Sequence, residues 1–229
     1  MKVQFLNVGQ GDSIILEWDG PTGTSTGIID SCMHQGRNRV LEYIEENSVQ
    51  EVEFFLISHP HFDHFSGARE VLEHCESNGI IINHFLHTSQ QHPEYLRSAC
   101  ISTMAKQELA RLFKTILRLT TSARKIIKSQ GHVNDYTRIF QLNSEWCLQV
   151  LAPSSVESNN YVAKTYSKGL DVSSHSSPHG NWLSTLIKLQ GPDKYALLTS
   201  DVESDVLSRL GKDYDQGRNS HWVWGSFFT

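Results

Sequence analysis

A buried strand that runs into a proline and a cluster of metal-ligand side chains is the feature that most constrains this chain. Residues 54–57 (FFLI) form a continuous apolar run, as in a strand that is buried on both faces. Pro60 prevents that strand, or a helix, from continuing through the following residues. Residues 58–64 (SHPHFDH) are therefore expected on a loop at the carboxyl end of the strand.

The side chains of this loop are suited to a divalent metal ion. His59 and His61 are two residues apart, so in an extended segment their imidazoles project to the same side. Asp63 and His64 follow at the point where a helix can begin. Imidazole and carboxylate groups are typical ligands of zinc and other first-row divalent ions. We expect all four residues to bind metal, and Asp63 can also orient a metal-bound water.

Several sequence blocks resemble a known family. The pattern HxHxDH, here HPHFDH at residues 59–64, resembles the signature of the metallo-β-lactamase superfamily. Residues 5–13 (FLNVGQGDS), 28–30 (IID) and 197–201 (LLTSD) resemble the FLDVGQGDS, LIDCG and LLTGD blocks of one branch, in the same order. That branch contains the hydrolase-like domain of the DNA-uptake protein ComEC and its soluble relatives.

The resemblance implies an α+β fold, the αββα four-layer sandwich, with the site at one edge where loops meet. The 229 residues fit one such domain, residues 1–229, with a helical insertion at about 90–131. The polar segment at about 156–180 is expected to be a mobile loop. Residues 220–226 stand where the family has a His-His-Gly-Ser block, so the second half of the fold is expected to be incomplete.

The resemblance also implies a two-metal site. His59 and His61 would hold one ion, Asp63 and His64 the other, and Asp201 would bridge them, which makes Asp63 and Asp201 the expected catalytic carboxylates. Zn²⁺ is the expected metal, with Mn²⁺ as the alternative. Three residues are expected to support the ligands from behind: Asp12, Asp30 and Asn181. Hairpin geometry alone is the preferred explanation for the glycines at 9–11.

The sequence departs from the family at one ligand position. Ala152 stands where many members have a middle metal-binding histidine, and alanine cannot bind a metal. The candidates to replace it are His87, His175 and His179, and His221 is the candidate for the terminal ligand. Each of these histidines has the alternative of being incidental.

The expected helical insertion is rich in basic residues, although the chain has a net charge of −5. Arg111, Lys114, Arg118 and Lys125 belong to this local excess. One interpretation is a surface that steers a phosphate backbone toward the metals. The other is a solvated helix face or a docking surface for a protein partner.

These observations predict a metal-dependent hydrolase in which a metal-bound hydroxide attacks phosphorus. The expected substrate is a phosphodiester, such as single-stranded DNA or a nucleotide. The alternatives are hydrolysis of esters, thioesters or lactams, and a non-catalytic binding module with an eroded metal site. The apolar C-terminus is expected to be buried within this chain or against a protein partner, and its large residues are Trp222, Val223, Trp224, Phe227 and Phe228.

The expected location is the cytoplasm. No apolar run approaches the roughly 20 residues that span a bilayer, and the first residues do not resemble a signal peptide. The four cysteines, which are Cys32, Cys75, Cys100 and Cys147, are expected to be reduced, because they are scattered rather than closely paired.

Overall fold

The computed structural model describes residues 1–88, 99–100, 102–137, 140–167 and 180–215. The strands are β1 (Lys2–Phe5), β2 (Ile14–Gly20), β3 (Gly23–Ile29), β4 (Met33–His34), β5 (Arg37–Asn38), β6 (Glu51–Ile57), β7 (Ile81–His87), β8 (Ile127–His132), β9 (Phe140–Gln141), β10 (Cys147–Ala152), β11 (Leu186–Gln190) and β12 (Tyr195–Leu198). The helices are α1 (Arg39–Glu46), α2 (Phe62–Phe65), α3 (Ala68–Asn78), α4 (Thr103–Thr121), α5 (Ser155–Ser167), a 3₁₀ turn (Gly180–Leu183) and α6 (Ser204–Asp215).

Two sheets form the centre of the molecule. The first has six strands in the order β1-β2-β3-β6-β7-β8, antiparallel from β1 to β3 and parallel from β3 to β8. The second has four antiparallel strands in the order β12-β11-β10-β9. The parallel strands all end at one edge of the first sheet, where Ile57, His87 and His132 lie in register.

Side-chain alternation along β6 shows how the layers form. Phe55 and Ile57 pack in a cluster with α1, α3 and α4, whereas Phe54 and Leu56 pack in a cluster shared with the second sheet. A third cluster joins the second sheet to α6 through Leu186, Val206 and Leu210. Helices, sheet, sheet and helix thus lie in sequence, which confirms the predicted four-layer sandwich.

Local signals explain where the elements near the motif begin and end. Helix α2 begins directly after His61, as the motif predicts. Helix α3 ends at Gly79, which takes the left-handed conformation with φ 71° and donates its N–H to Cys75 and Glu76. The four cysteines are free, as predicted, and Cys75 is fully buried on the inner face of α3.

The expected loop at 156–180 is instead helical in its first part, since α5 covers Ser155–Ser167. Ser154 caps this helix, because its Oγ accepts the N–H of Glu157 at 3.1 Å. The Glu157 carboxylate returns to the N–H of Ser154 at 2.6 Å, which completes a capping box. Tyr161 anchors the helix in the main core. Residues 168–179 lie outside the described part of the chain.

The segment expected as an insertion at 90–131 is a crossover within the first sheet. Helix α4 packs Leu109, Leu112 and Ile116 into the main core. The chain then enters β8, which pairs with β7 in parallel. The helix predicted here is therefore present, but it belongs to the helical layer of the fold. In the described residues, no helix is long and apolar enough to cross a membrane.

Candidate metal centre

The motif loop lies at the edge where the two sheets meet. Residue Ser58 follows β6, and Thr185 precedes β11 in the second sheet. Both the backbone N–H and the hydroxyl of Thr185 donate to the carbonyl oxygen of Ser58, at 2.9 and 2.8 Å. Because Asp201 follows β12, its carboxylate also reaches this edge.

Three imidazoles and one carboxylate converge there. The ring centroids of His59 and His64 are 3.9 Å apart, and those of His59 and His61 are 4.6 Å apart. Asp201 lies between two of the rings, with Oδ2 3.4 Å from His59 Nε2 and Oδ1 3.8 Å from His64 Nε2. The ligand atoms of His59, His61 and Asp201 all lie within 4.8 Å of one another.

The Nε2 atom of His59 has no hydrogen-bond partner within the described residues, although the side chain is 0 % exposed. Leaving a buried polar atom unsatisfied costs about 1–3 kcal/mol. A divalent ion beside Nε2 would satisfy it, and imidazole with carboxylate is a donor set for such an ion. The residues at this edge therefore fit a metal.

Asp30 connects the centre to the first sheet. It is fully buried, and Oδ1 accepts the N–H of Ser58 at 2.6 Å. Its Oδ2 accepts the Ser58 hydroxyl at 2.5 Å and Nδ1–H of His64 at 2.7 Å. A carboxylate bonded to Nδ1 leaves Nε2 of His64 to face Asp201. The supporting role of Asp30 stays a prediction, and these contacts show where the carboxylate would act.

The electrostatic environment differs between the histidines. Burial, together with the neighbouring His59, lowers the pKa of His61 to about 4, and burial also lowers the pKa of His59. Burial acts in the same direction on His64, but the Asp30 carboxylate outweighs it and raises the pKa of His64 to about 9. The neighbouring His59 lowers the pKa of Asp201 to about 2. Without metal, His64 is thus the protonated imidazole, and an ion at its Nε2 has to displace a proton.

The turn at residues 9–11 packs against the motif loop. Asp12 donates its N–H to the carbonyl of Asp63 at 3.3 Å, and its Oδ2 lies 3.9 Å from His64 Nδ1. Gly11 has φ 101°, and a methyl group on it would overlap the Asp63 carbonyl oxygen. Hairpin geometry alone is therefore an incomplete explanation of this turn, because Gly11 also permits close contact with the motif. Burial raises the pKa of Asp12, and nearby Asp30 adds to this.

Asp12, Asp30 and His64 form a second group whose potential ligand atoms lie close together. In this group Nδ1 of His64 and both oxygens of Asp30 are already engaged in hydrogen bonds. The group therefore behaves as a support for His64 rather than as a separate ion site.

Comparison with known proteins identifies the family of the chain. The family model of the metallo-beta-lactamase superfamily matches residues 6–127, which is more than half of the chain. The chain belongs to the metallo-beta-lactamase superfamily. Members of this superfamily are generally metal-dependent hydrolases. No curated protein sequence matches the chain.

Among solved structures, the chain is similar to MEM-A1, a subclass B3 metallo-beta-lactamase isolated from a soil metagenome library. The sequence identity is 12 % and the TM-score is 0.43. The similarity covers 93 % of this chain and 71 % of the other.

Several residues predicted as ligands lie outside the two groups of candidate ligands or outside the described residues. Asp63 belongs to neither group of candidate ligands within the described residues, so its metal contact stays a prediction. His87 is buried beside Phe113, and its Nε2 lies 3.2 Å from Gln130 Nε2, outside both groups. Ala152 is buried in the apolar cluster beneath α6. The remaining candidates, His175, His179 and His221, lie outside the described residues.

Asn181 lies in the 3₁₀ turn at Gly180–Leu183, which precedes β11 of the second sheet. Its Nδ2 donates a hydrogen bond to Oε1 of Glu203 at 3.2 Å. Glu203 is two residues after Asp201 in the sequence. The Oδ1 atom of Asn181 is buried and has no partner within the described residues. The contact with Glu203 connects Asn181 to the segment that carries Asp201, and its supporting role stays a prediction.

Two of the four basic residues, Arg118 and Lys125, lie away from this centre. Arg118 forms an ion pair with Glu76, and Arg111 forms one with Glu108 at 3.4 Å. Glu76 lies at the end of α3, and Lys125 precedes β8, so both belong to the edge where the parallel strands begin. The motif lies at the opposite edge. Lys114 lies between Arg111 and Arg118 on the same helix.

Three residues with roles at this site were missed by the sequence analysis. Ser58 bonds to Asp30, Ser200 bonds to His59, and Gly180 lies against His61. One signal was available for Ser200. The family block LLTGD has glycine where this chain has Ser200. A serine at a position where the family has glycine indicates that the hydroxyl has a role.

Gly180 provides a direct test of the centre. A methyl group on Gly180 would overlap Nε2 of His61, one of the three residues whose potential ligand atoms lie close together. We expect Gly180→Ala to displace the imidazole and to lower zinc affinity by roughly 10-fold to 100-fold, measured by competition with a chelator.

Gly211→Ala is the matched control, because open space surrounds Gly211 on α6. It should leave zinc affinity unchanged and stabilise the helix by about 0.5–1 kcal/mol. Equal zinc affinity in the Gly180→Ala protein and the wild type would show that His61 is not a ligand.

Proposed function

We propose that this protein is a metal-dependent hydrolase that holds two divalent ions, most suitably Zn²⁺, and cleaves phosphodiesters. One observation carries the proposal of a metal centre. The buried Nε2 of His59 lacks a partner and faces Asp201, within a cluster of three imidazoles. No packing role accounts for such a cluster, because polar atoms buried without partners destabilise a fold.

The proposed assignment follows the geometry. His59, His61 and Asp201 hold one ion, and His64 and Asp201 contribute to the other, with Asp63 as the further predicted ligand. When bound, divalent ions in such a site lower the pKa of a coordinated water and stabilise charge on the oxygens of the substrate.

The chain itself supplies orientation and a direction of approach. His59 and His64 are buried and held from behind, so their ring positions are fixed before any ligand arrives. Asp201 is 45 % exposed and His61 is half-buried, so the centre opens to solvent on their side. A substrate therefore approaches past Asp201 and His61, while Asp30 keeps His64 oriented.

The phosphodiester class rests on the sequence blocks that resemble the ComEC branch, at residues 5–13, 28–30 and 197–201. The basic residues between 111 and 125 do not add to this support, because Arg111 and Arg118 are paired with carboxylates and Lys125 lies at the opposite edge. The substrate class therefore needs a direct assay.

The test is a panel of chromogenic substrates assayed with Zn²⁺ and Mn²⁺. We expect turnover of a bis-aryl phosphate and of single-stranded oligonucleotides, and little turnover of an aryl ester, a thioester or a β-lactam. Ester or lactam turnover without phosphodiester cleavage would contradict the proposed substrate class. The proposal that the protein is a metal-dependent hydrolase would still hold.

A non-catalytic binding module is the second candidate, and Ala152 favours it. The position expected to supply the middle histidine is a buried alanine, packed with apolar residues beneath α6. Metal-loaded protein that turns over no member of the panel would favour this second function.

A further inference from the structure

Ser200 occupies an unusual backbone position beside the centre. Its φ is 47°, in the left-handed region that glycine adopts easily and that other residues adopt at a cost. It directly precedes Asp201, the carboxylate that faces His59 and His64. A strained position next to a functional residue is expected only where the side chain contributes something in return.

The hydroxyl of Ser200 makes two contacts. Its Oγ lies 3.0 Å from His59 Nδ1 and 2.8 Å from Ser58 Oγ. Ser58 Oγ in turn lies 2.5 Å from Asp30 Oδ2. A continuous chain of hydrogen bonds thus runs from the buried carboxylate through two hydroxyls to the imidazole of His59.

The donor and acceptor of each hydrogen bond in this series follow from the Asp30 carboxylate at one end of it. An ionised carboxylate can only accept hydrogen bonds, so Ser58 donates its hydroxyl proton to Asp30. Ser58 Oγ then accepts from Ser200, and Ser200 Oγ accepts from Nδ1–H of His59. The hydrogen bonds on this side place the proton of the neutral imidazole on Nδ1, which leaves the lone pair of Nε2 for a metal ion. Without metal, the Asp201 carboxylate 3.4 Å from Nε2 competes for the same proton.

We propose that Ser200 is a positioning residue that holds His59 in the Nδ1–H tautomer, with Nε2 ready to bind a metal ion. This inference rests on the proposed function. It assigns to Asp30 the orientation of both buried histidines, His64 by direct contact and His59 through Ser58 and Ser200. The left-handed backbone at Ser200 places the hydroxyl where it can reach both Ser58 and His59.

Two substitutions separate the hydroxyl from the backbone strain. Ser200→Ala removes the hydroxyl and keeps a side chain at positive φ, whereas Ser200→Gly removes the hydroxyl and relieves the strain. We expect both variants to lose zinc affinity by roughly 10-fold to 100-fold. Without metal, we expect Ser200→Gly to melt about 2–4 °C above Ser200→Ala. Ser208→Ala, at an exposed serine on α6, is the control and should match the wild type.

A purely structural role would give a different pattern. Zinc affinity would then follow melting temperature, and Ser200→Gly would bind as tightly as the wild type. That result would overturn the proposal, as would unchanged affinity in both variants.

The tautomer can also be observed without metal. Because Ser200 holds the proton on Nδ1 and Asp201 attracts it to Nε2, imidazole ¹⁵N shifts of the metal-free wild type should show a larger share of His59 protonated on Nδ1 than either Ser200 variant, and Ser208→Ala should match the wild type. An identical His59 signal in all four proteins would overturn the role of Ser200. Absence of zinc binding by the wild type would instead refute the proposed function, and the ¹⁵N shifts would still decide the role of Ser200.

Discussion

Replacing Asp201 with asparagine is expected to remove metal from the protein and to reduce turnover by roughly 10³-fold or more. The substitution keeps the size of the side chain but removes its charge. Asp201 Oδ2 and Oδ1 face Nε2 of His59 and of His64, at 3.4 and 3.8 Å, so one carboxylate serves both proposed ion positions. Elemental mass spectrometry of the purified protein, in metal ions per chain, measures the effect directly.

The wild type should carry close to two ions per chain, and His61→Ala should lose one of them. Asp205→Asn is the control, since Asp205 is exposed in the first turn of α6, four residues from Asp201. It should keep the metal content of the wild type. One ion or none in the wild type would contradict a two-metal centre and would favour the binding module.

Asp30→Asn is expected to have the largest effect on stability. The Asp30 carboxylate accepts three hydrogen bonds from Ser58 and His64, and it is fully buried. An amide has one acceptor oxygen, and its NH₂ group faces donors, so at least one buried donor is left unpaired. We expect the free energy of unfolding of the metal-free protein to fall by about 3 kcal/mol, measured by urea denaturation.

Zinc affinity should fall in the same variant, because His64 loses the contact that orients it. Asp19→Asn provides the control at an exposed aspartate on β2, where a change within about 0.5 kcal/mol is expected. A metal-free Asp30→Asn protein as stable as the wild type would show that the hydrogen bonds around Asp30 contribute nothing to the fold.

The order of the layers could be predicted because its signals are local. The apolar run at 54–57 and the proline that follows define a buried strand and its end, and the structure has β6 at Glu51–Ile57. The family blocks then place further strands in order. The helix at Ser155–Ser167 also had a local signal, the pair Ser154 and Glu157, but the polar composition of the segment concealed it.

The supporting contacts of the centre could not be predicted in the same way. Ser58 and Ser200 are far apart in the sequence and meet only because the ends of β6 and β12 lie at one edge. No periodicity encodes which residue of one sheet faces a given residue of the other. The close approach of Gly180 to His61 depends on the same packing of separate segments.

The contacts of Ser58 have a consequence for folding. Thr185 and Ser200 belong to the second half of the chain, and both bond to the residue that begins the motif in the first half. An ion held by His59 and Asp201 would join the same two halves. A ligand that binds only the native state stabilises it by about 4 kcal/mol when its free concentration is 1,000 times its Kd. The free metal concentration would therefore affect the stability of the packing between the two sheets. Neither half alone contains the full set of ligands, so hydrolytic chemistry and complete folding would arise together.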